Sequence, residues 1–214
     1  VLGTNSSFYS CRIPAPIERY ALKICKSNQQ QRNSMLRSSL IAAIFTSVIA
    51  IFSARAASPE NTLYLDLKDG RVVIELRPDL APKHVQRVKT LVREGFYNGL
   101  AFHRVIAGFM AQTGDPKGDG TGGSKYPDLP AEFSSTPFKR GTVGAARSSD
   151  PNSANSQFFI CFEDASHLNG SYTVWGQVIE GMELVDHLKK GQGTGGAVLN
   201  PDKIIKIQLA SDAR

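Results

Sequence analysis

From Thr62 onward the chain is cut into short runs in which apolar and polar residues alternate, and a period of two excludes most architectures before any motif is considered. Leu63, Leu65 and Leu67 alternate with Thr62, Tyr64 and Asp66. Asp69-Gly70 supplies a hairpin turn signal, and Val72, Ile74 and Leu76 alternate on the way back. Further strand-like runs lie near 101–106, 109–113, 142–146, 156–162, 172–179 and 203–209. Two stretches carry helical spacing instead. In the first, Pro82 suits the opening turn, Val85, Val88 and Val92 recur on one side, and Gly95 closes it. The second, Met182 to Lys190, groups Leu184, Val185 and Leu188 and ends on Lys189 and Lys190. Many short strands with two helices predict a mainly β fold around an antiparallel sheet, as a barrel or a sandwich. Closing such a sheet removes its exposed edges.

The first 56 residues have a different character. Residues 1–34 are mostly polar and carry no long apolar face. Met35-Leu36-Arg37 is a short basic start, Leu40 to Phe52 is an almost wholly apolar run of 13 residues, and Ala54-Arg55-Ala56 is a small-x-small pattern. Together they predict a secretory signal peptide over 35–56, cleaved near Ala56/Ala57. On this reading Met35 is the start, 1–34 is a polar upstream extension absent from the mature protein, and 57–214 is one domain, periplasmic or secreted. The apolar run is shorter than the roughly 20 residues that cross a bilayer as a helix, so no permanent membrane insertion is expected. An uncleaved anchor is the alternative.

This division also redistributes charge. The formal net charge is +6, but of 25 Lys/Arg and 19 Asp/Glu, seven and one precede Ala57, leaving 18 of each. A near-neutral domain carries no basic footprint, and no nucleic-acid partner is expected. Cys11 and Cys25 fall in the segment to be lost. Cys161 is left without a disulfide partner, on an apolar strand, and reads as a small core residue.

Several motifs can be set aside. Gly118–Gly123 and Gly191–Gly196 both fit G-x-G-x-x-G, yet neither sits between a strand and a helix as dinucleotide binding requires. Both are expected as loops, the second as a surface turn. His84, His103, His167 and His187 lack paired metal-ligand spacing. A serine hydrolase would need a nucleophile elbow, whereas Ser156 lies in a strand pattern. Asn169-Gly170-Ser171 fits a glycosylation sequon, which matters only where the host carries that machinery.

What remains is Phe102 to Gln112. Val105, Ile106, Phe109 and Met110 are apolar, yet the permanent cation Arg104 stands among them. A half-buried arginine is costly unless its head reaches water, a partner or a ligand, so it is either a snorkelling strand residue or a functional donor. Ser156-Gln157-Phe158-Phe159-Ile160-Cys161 forms a second apolar strand opened by polar residues. Phe-His-Arg, Gly-Phe-Met-x-Gln, Gly-Thr-Gly-Gly, Ser-Gln-Phe-Phe-Ile, Trp175-Gly-Gln-Val and Gly181-Met182, in that order, resemble the cyclophilin family of peptidyl-prolyl isomerases over roughly residues 62 to 209.

That resemblance implies a closed eight-stranded antiparallel β-barrel capped by two α-helices, with a substrate groove on its outer face. It implies rotation about the amide bond before proline, which needs no nucleophile, metal or cofactor. Arg104 would be the catalytic donor, with His103 in a supporting role. Phe109, Met110, Phe159 and Leu168 would hold the pyrrolidine ring. Gln112 would orient Arg104 and the substrate backbone, and the main chain of Arg147 beside Ala146 would hold the peptide. Gln157 would contact substrate or only pin the sheet. His167 stands where the family commonly has tryptophan, which implies weakened binding of cyclosporin-like ligands. Tyr172 replaces a common histidine, and Ala145 a usual methionine. The implied partners are proline-containing polypeptides met by a monomer, with folding of exported proteins as the task. A proline-segment binding module or chaperone with incidental turnover is the competing reading.

Overall fold

The computed structural model describes residues 58–213; the expected upstream extension and signal peptide lie outside the described residues. The described part is mainly β. Its strands are β1 (Thr62–Leu67), β2 (Gly70–Leu76), β3 (Arg104–Ile106), β4 (Met110–Thr113), β5 (Thr142–Ala145), β6 (Phe158–Cys161), β7 (Val174–Glu180) and β8 (Lys206–Leu209). They form one curled antiparallel sheet in the order β3-β4-β6-β5-β7-β2-β1-β8. At the two ends of that order, the segments leading into β3 and β8 meet. Phe102 N donates to Asp202 O at 2.9 Å, Ile204 N donates to Leu100 O at 2.9 Å, and Ala101 bridges Lys203. Two helices accompany the sheet, α1 (Pro82–Arg93) and α2 (Met182–Asp186).

Alternation builds the interior. Leu63, Leu65 and Leu67 of β1 and Val72, Ile74 and Leu76 of β2 all bury their side chains in one core with Val85, Val88, Leu91 and Val92 of α1. Each such side chain contributes about 1.5–3 kcal/mol relative to exposure. Trp175, Phe158 and Tyr97 continue this core as edge-to-face pairs 5.4 and 5.5 Å apart.

The ends of α1 have clear causes. Ala81 offers no side-chain cap, and Pro82 has no N–H to satisfy. The distant Glu132 replaces the cap, accepting from Lys83 N at 3.1 Å and His84 N at 3.0 Å. At the far end Gly95, with φ +68°, lets Phe96 N donate to Leu91 O and Gly95 N to Val92 O, which consumes the free carbonyls.

Two expectations need correction. The second helix stops at Asp186 instead of running to Lys190. Leu188 N donates back to Val185 O, Lys189 N is drawn away by the Asp202 carboxylate at 2.8 Å, and Lys190 Nζ turns back onto the Leu188 carbonyl. The first hairpin turns on Lys68-Asp69, with Gly70 already in β2 opposite Leu67 and at φ +146°.

Candidate active site

On β6 both faces are covered. Phe158 and Ile160 enter the interior core, while Phe159 and Cys161 face the other way. The outward pair, with Met110, Phe138, Ala165, Leu168 and Val174, forms a second apolar cluster, against which Phe109, Ala146 and Tyr172 lie half-buried. Register aligns the polar groups above it. Arg104 is paired with Gln112 across β3 and β4, Gln112 with Phe159 across β4 and β6, and Phe159 with Gly144 across β6 and β5. One row across four strands therefore carries a cation, an amide, an aromatic ring and a residue with no side chain, all on one face.

The missing side chain at Gly144 has a packing reason. A Cβ there would lie 2.6 Å from Phe138 Cε1 and 2.6 Å from Phe159 Cζ. Those two rings stack behind the row at 5.7 Å, with Phe138 buried beneath. Phe159 also meets Tyr172 edge-on at 5.9 Å, and Phe109 leans on His167 at 5.1 Å. A cleft of about 630 Å³ opens over these rings, bordered by Arg104, Gln112, Arg147 and the Gly118–Gly120 loop.

The polar side of the cleft is a chain of hydrogen bonds. Arg104 Nη1 donates to Gln112 Oε1 at 3.1 Å, and Arg104 Nε donates to Gly195 O at 3.0 Å. Gln112 Nε2 donates to Gln157 Oε1 at 2.8 Å, and Gln157 Nε2 donates to Gly120 O and Gly122 O at 3.0 and 2.8 Å. Among the described residues, Nη2 of Arg104 has no protein acceptor and no carboxylate pairs with the guanidinium. The head is thus tied down beside the cleft at two points.

Arg147 contributes a second cation. Its guanidinium lies 4.3 Å from the Tyr172 ring centroid and donates to Ser171 O at 2.8 Å and Ser148 O at 2.9 Å. The neighbouring Ala146 N is spent on Gln157 O. The Gly118–Gly123 loop is held from below by buried Asp115, whose carboxylate accepts from Lys117 N at 2.8 Å, Asp119 N at 3.1 Å and Gly120 N at 2.6 Å. Burial works to raise the Asp115 pKa, but these donors hold it below the usual carboxylate range. His103 lies against the cleft with both ring nitrogens buried and no well-aligned hydrogen-bond partner among the described residues, the Ala101 main chain being its polar backbone neighbour. Burial keeps its imidazole below the ordinary value, against the opposing pull of Asp115.

The residues singled out for the site are thus brought together, except that Gln157 lines an adjoining polar recess joined to the cleft through Gln112, and Ala145 is buried in the interior core. Ser156 lies just before β6, with its hydroxyl donating to Gly114 O at 2.8 Å, so it is occupied in the scaffold. Burial pushes the Cys161 thiol up to about 12, as suits a core residue. Sequence reasoning missed Phe138 and the Gly195 carbonyl. Gly191–Gly196 is the expected surface turn, exposed over 192–195, and its Gly195 carbonyl also accepts from Arg104. Among the described residues no cluster of three or more His, Cys, Asp or Glu could hold a metal ion. No described helix is long and apolar enough to cross a membrane.

Comparison with known proteins agrees with this geometry. Residues 62–209 match the family described as cyclophilin type peptidyl-prolyl cis-trans isomerase/CLD. A probable peptidyl-prolyl cis-trans isomerase of Brucella suis is 62% identical over 195 residues, spanning 85% of this chain and 100% of the relative. The crystal structure of a cyclophilin from Hirschia baltica aligns with TM-score 0.68 at 27% identity, covering 75% of this chain and 77% of that one. A Cryptosporidium parvum cyclophilin type isomerase, crystallised in the presence of the dipeptide Ala-Pro, aligns with TM-score 0.65 at 28% identity over 69% and 98% of the two chains. A curled antiparallel sheet with a tethered arginine over an apolar cleft, and a family match across the whole of it, lead to one conclusion: the chain belongs to the cyclophilin-type peptidyl-prolyl cis-trans isomerases.

Proposed function

We propose that Arg104 is the catalytic group of this isomerase and that the cleft over Phe109, Met110, Phe159 and Leu168 seats the proline ring. Amide resonance sets a barrier of roughly 18–20 kcal/mol to rotation. Midway, the carbonyl stands perpendicular and the proline nitrogen turns pyramidal and regains its lone pair. A donor aimed at that lone pair stabilises the twisted state and not the planar ones, which is what lowers a barrier. A guanidinium suits the task because it is always charged and carries several N–H groups. The observation that carries this reading is the tethering of Arg104 by Gln112 at 3.1 Å with Nη2 left uncommitted beside the apolar floor. Lowering the barrier by about 7 kcal/mol would accelerate rotation roughly 10⁵-fold.

The remaining groups position the peptide. Gln112 orients the guanidinium, and the Arg147 main chain offers a donor and an acceptor to an extended substrate. Gln157 stiffens the row, and His103 supports it without exchanging protons. The substrates are proline-containing polypeptides, a reading supported by the Ala-Pro dipeptide used with the Cryptosporidium relative. The short His167 ring offers less surface than tryptophan, so cyclosporin-like ligands bind weakly. We read the curled sheet as a barrel closed where Gly99–Phe102 meets Asp202–Ile204, and the domain, residues 57–214, as a monomer. The basic start, apolar run and small-x-small pattern before Ala57 support cleavage there and a role in folding exported proteins, among whose slow steps is X-Pro isomerisation.

The test is Arg104→Ala in the full chain, with exchange on a proline peptide followed by NMR and peptide affinity titrated in parallel. Turnover should fall about 10²–10³-fold, the usual effect of losing one preorganised donor, while affinity stays within a few-fold. Retained turnover would remove Arg104 from the chemistry. Retained protection of unfolded clients without turnover would favour the binding-module reading instead.

A further inference from the structure

The two glycine-rich segments that mimic a dinucleotide fingerprint share one property in the fold: each offers backbone carbonyls to the row of side chains beneath the cleft. Gly120 and Gly122 accept from Gln157 Nε2 at one end, and Gly195 accepts from Arg104 Nε at the other. Between them run Arg104, Gln112 and Gln157, joined side chain to side chain at 3.1 and 2.8 Å. We propose that the Gly191–Gly196 loop is a positioning element of the active site, its Gly195 carbonyl fixing the Arg104 side chain so that Nη2 faces the proline nitrogen. This rests on Arg104 being the catalytic donor.

The loop is built for the task at its base and open at its tip. Gly191 N donates to Val105 O at 2.9 Å, Val105 N donates to Gly196 O at 2.7 Å, and Gln192 N donates to Ala197 O at 3.2 Å, so the loop covers the free edge of β3. A Cβ on Gly191 would lie 2.0 Å from Gly196 O, and one on Gly196 would lie 2.4 Å from Ile106 Cγ1. At the tip, Gly193 and Gly195 have open space around them. Gln112 grips the guanidinium only at Nη1, and one such bond leaves the head free to swing about it. The second bond, at Nε, removes that freedom, which is the preorganisation a transition-state donor requires.

Two substitutions separate positioning from simple support. Gly196→Ala, at φ +72° and against Ile106, must shift the loop, whereas Leu199→Ala trims an exposed side chain beyond the loop and outside the cleft. With the full chain, Gly196→Ala should lower kcat about 10-fold with KM within two-fold, and Leu199→Ala should leave both unchanged. The Arg104 Nε–H resonance, identified by its loss in Arg104→Lys, should exchange slowly with water in the parent protein and in Leu199→Ala, and quickly in Gly196→Ala. A folded Gly196→Ala with parental kcat overturns the proposal, as does rapid exchange of the parental Nε–H, which decides the matter even if Gly196→Ala fails to fold. Loss of turnover in Arg104→Ala alongside either result would leave the catalytic role intact and remove only the loop from it.

Discussion

Gly144→Ala tests how the apolar floor of the cleft is held in place. The added methyl would sit 2.6 Å from both Phe138 Cε1 and Phe159 Cζ, where carbon–carbon contacts normally settle at about 3.5–4.0 Å. Both contacts must therefore lengthen by about 1 Å. Phe138 is 1% exposed and backed by core, so its displacement should cost stability, while Phe159 borders the cleft and should shift outward. Overpacking of this kind costs about 1–3 kcal/mol. At about 2–4 °C per kcal/mol for a domain of this size, Tm should fall by about 2–12 °C. A misplacement of about 1 Å at a substrate-positioning group can cost up to about 10²-fold, so kcat/KM for a proline peptide should drop by about 10–100-fold. Calorimetry and exchange NMR on the same preparation read the two effects. Adding Phe138→Leu, which removes one of the clashing atoms, should restore part of both. Parental Tm and kcat/KM in Gly144→Ala would refute the claim that stacking on Phe138 positions Phe159, and so would a double variant no better than the single.

Acid should destabilise the fold through its buried histidines. Burial, the largest influence, holds His84 below its ordinary value despite the Glu132 carboxylate 2.6 Å from Nδ1, because Nε2 is buried without an acceptor for a second proton; His103 is lowered in the same direction. A lowered folded-state value means the unfolded chain takes up the proton first, so stability is complete above about pH 6.5 and falls as pH drops below it. Urea midpoints between pH 7.5 and 5 should record the fall, and His84→Gln/His103→Gln should flatten it. Glu132→Ala should cost about 1–3 kcal/mol by stripping acceptors from Lys83 N, His84 N and the His84 ring, as measured by urea unfolding at pH 7.5. His167→Trp should tighten cyclosporin inhibition by at least ten-fold while changing turnover little; tight inhibition of the parent protein would contradict the reading of His167.

Much of this was visible in the chain because period-two alternation is a direct imprint of a sheet with distinct faces. Leu63, Leu65 and Leu67, all buried, share one face of a strand, whereas on a helix they would not share one face. The cleft was legible where its residues fall on strands: a single register brings Arg104, Gln112 and Phe159 into one row. Residues outside the periodic runs were not legible. Phe138 lies in a loop whose path is set by contacts such as the bond from its N–H to Asn169 Oδ1 at 2.8 Å, 31 positions away. The Gly191–Gly196 loop reads as a turn because nothing local to it specifies the β3 edge it covers. The end of α2 was misjudged for the same reason, since the Asp202 carboxylate that draws Lys189 aside is remote in sequence. The expected extension and signal peptide lie outside the described residues, so the packing of the domain bears on neither.

The most direct test of the central claim is the position of the Arg104 guanidinium in a crystal structure of this protein with a proline-containing peptide. The proline ring should rest on Phe109, Met110, Phe159 and Leu168, with Gln112 still accepting from Nη1. Nη2 should lie at or near hydrogen-bond reach of the prolyl nitrogen, about 3 Å. A peptide seated elsewhere, or an Arg104 side chain swung out of the cleft and paired with a carboxylate, would contradict the account.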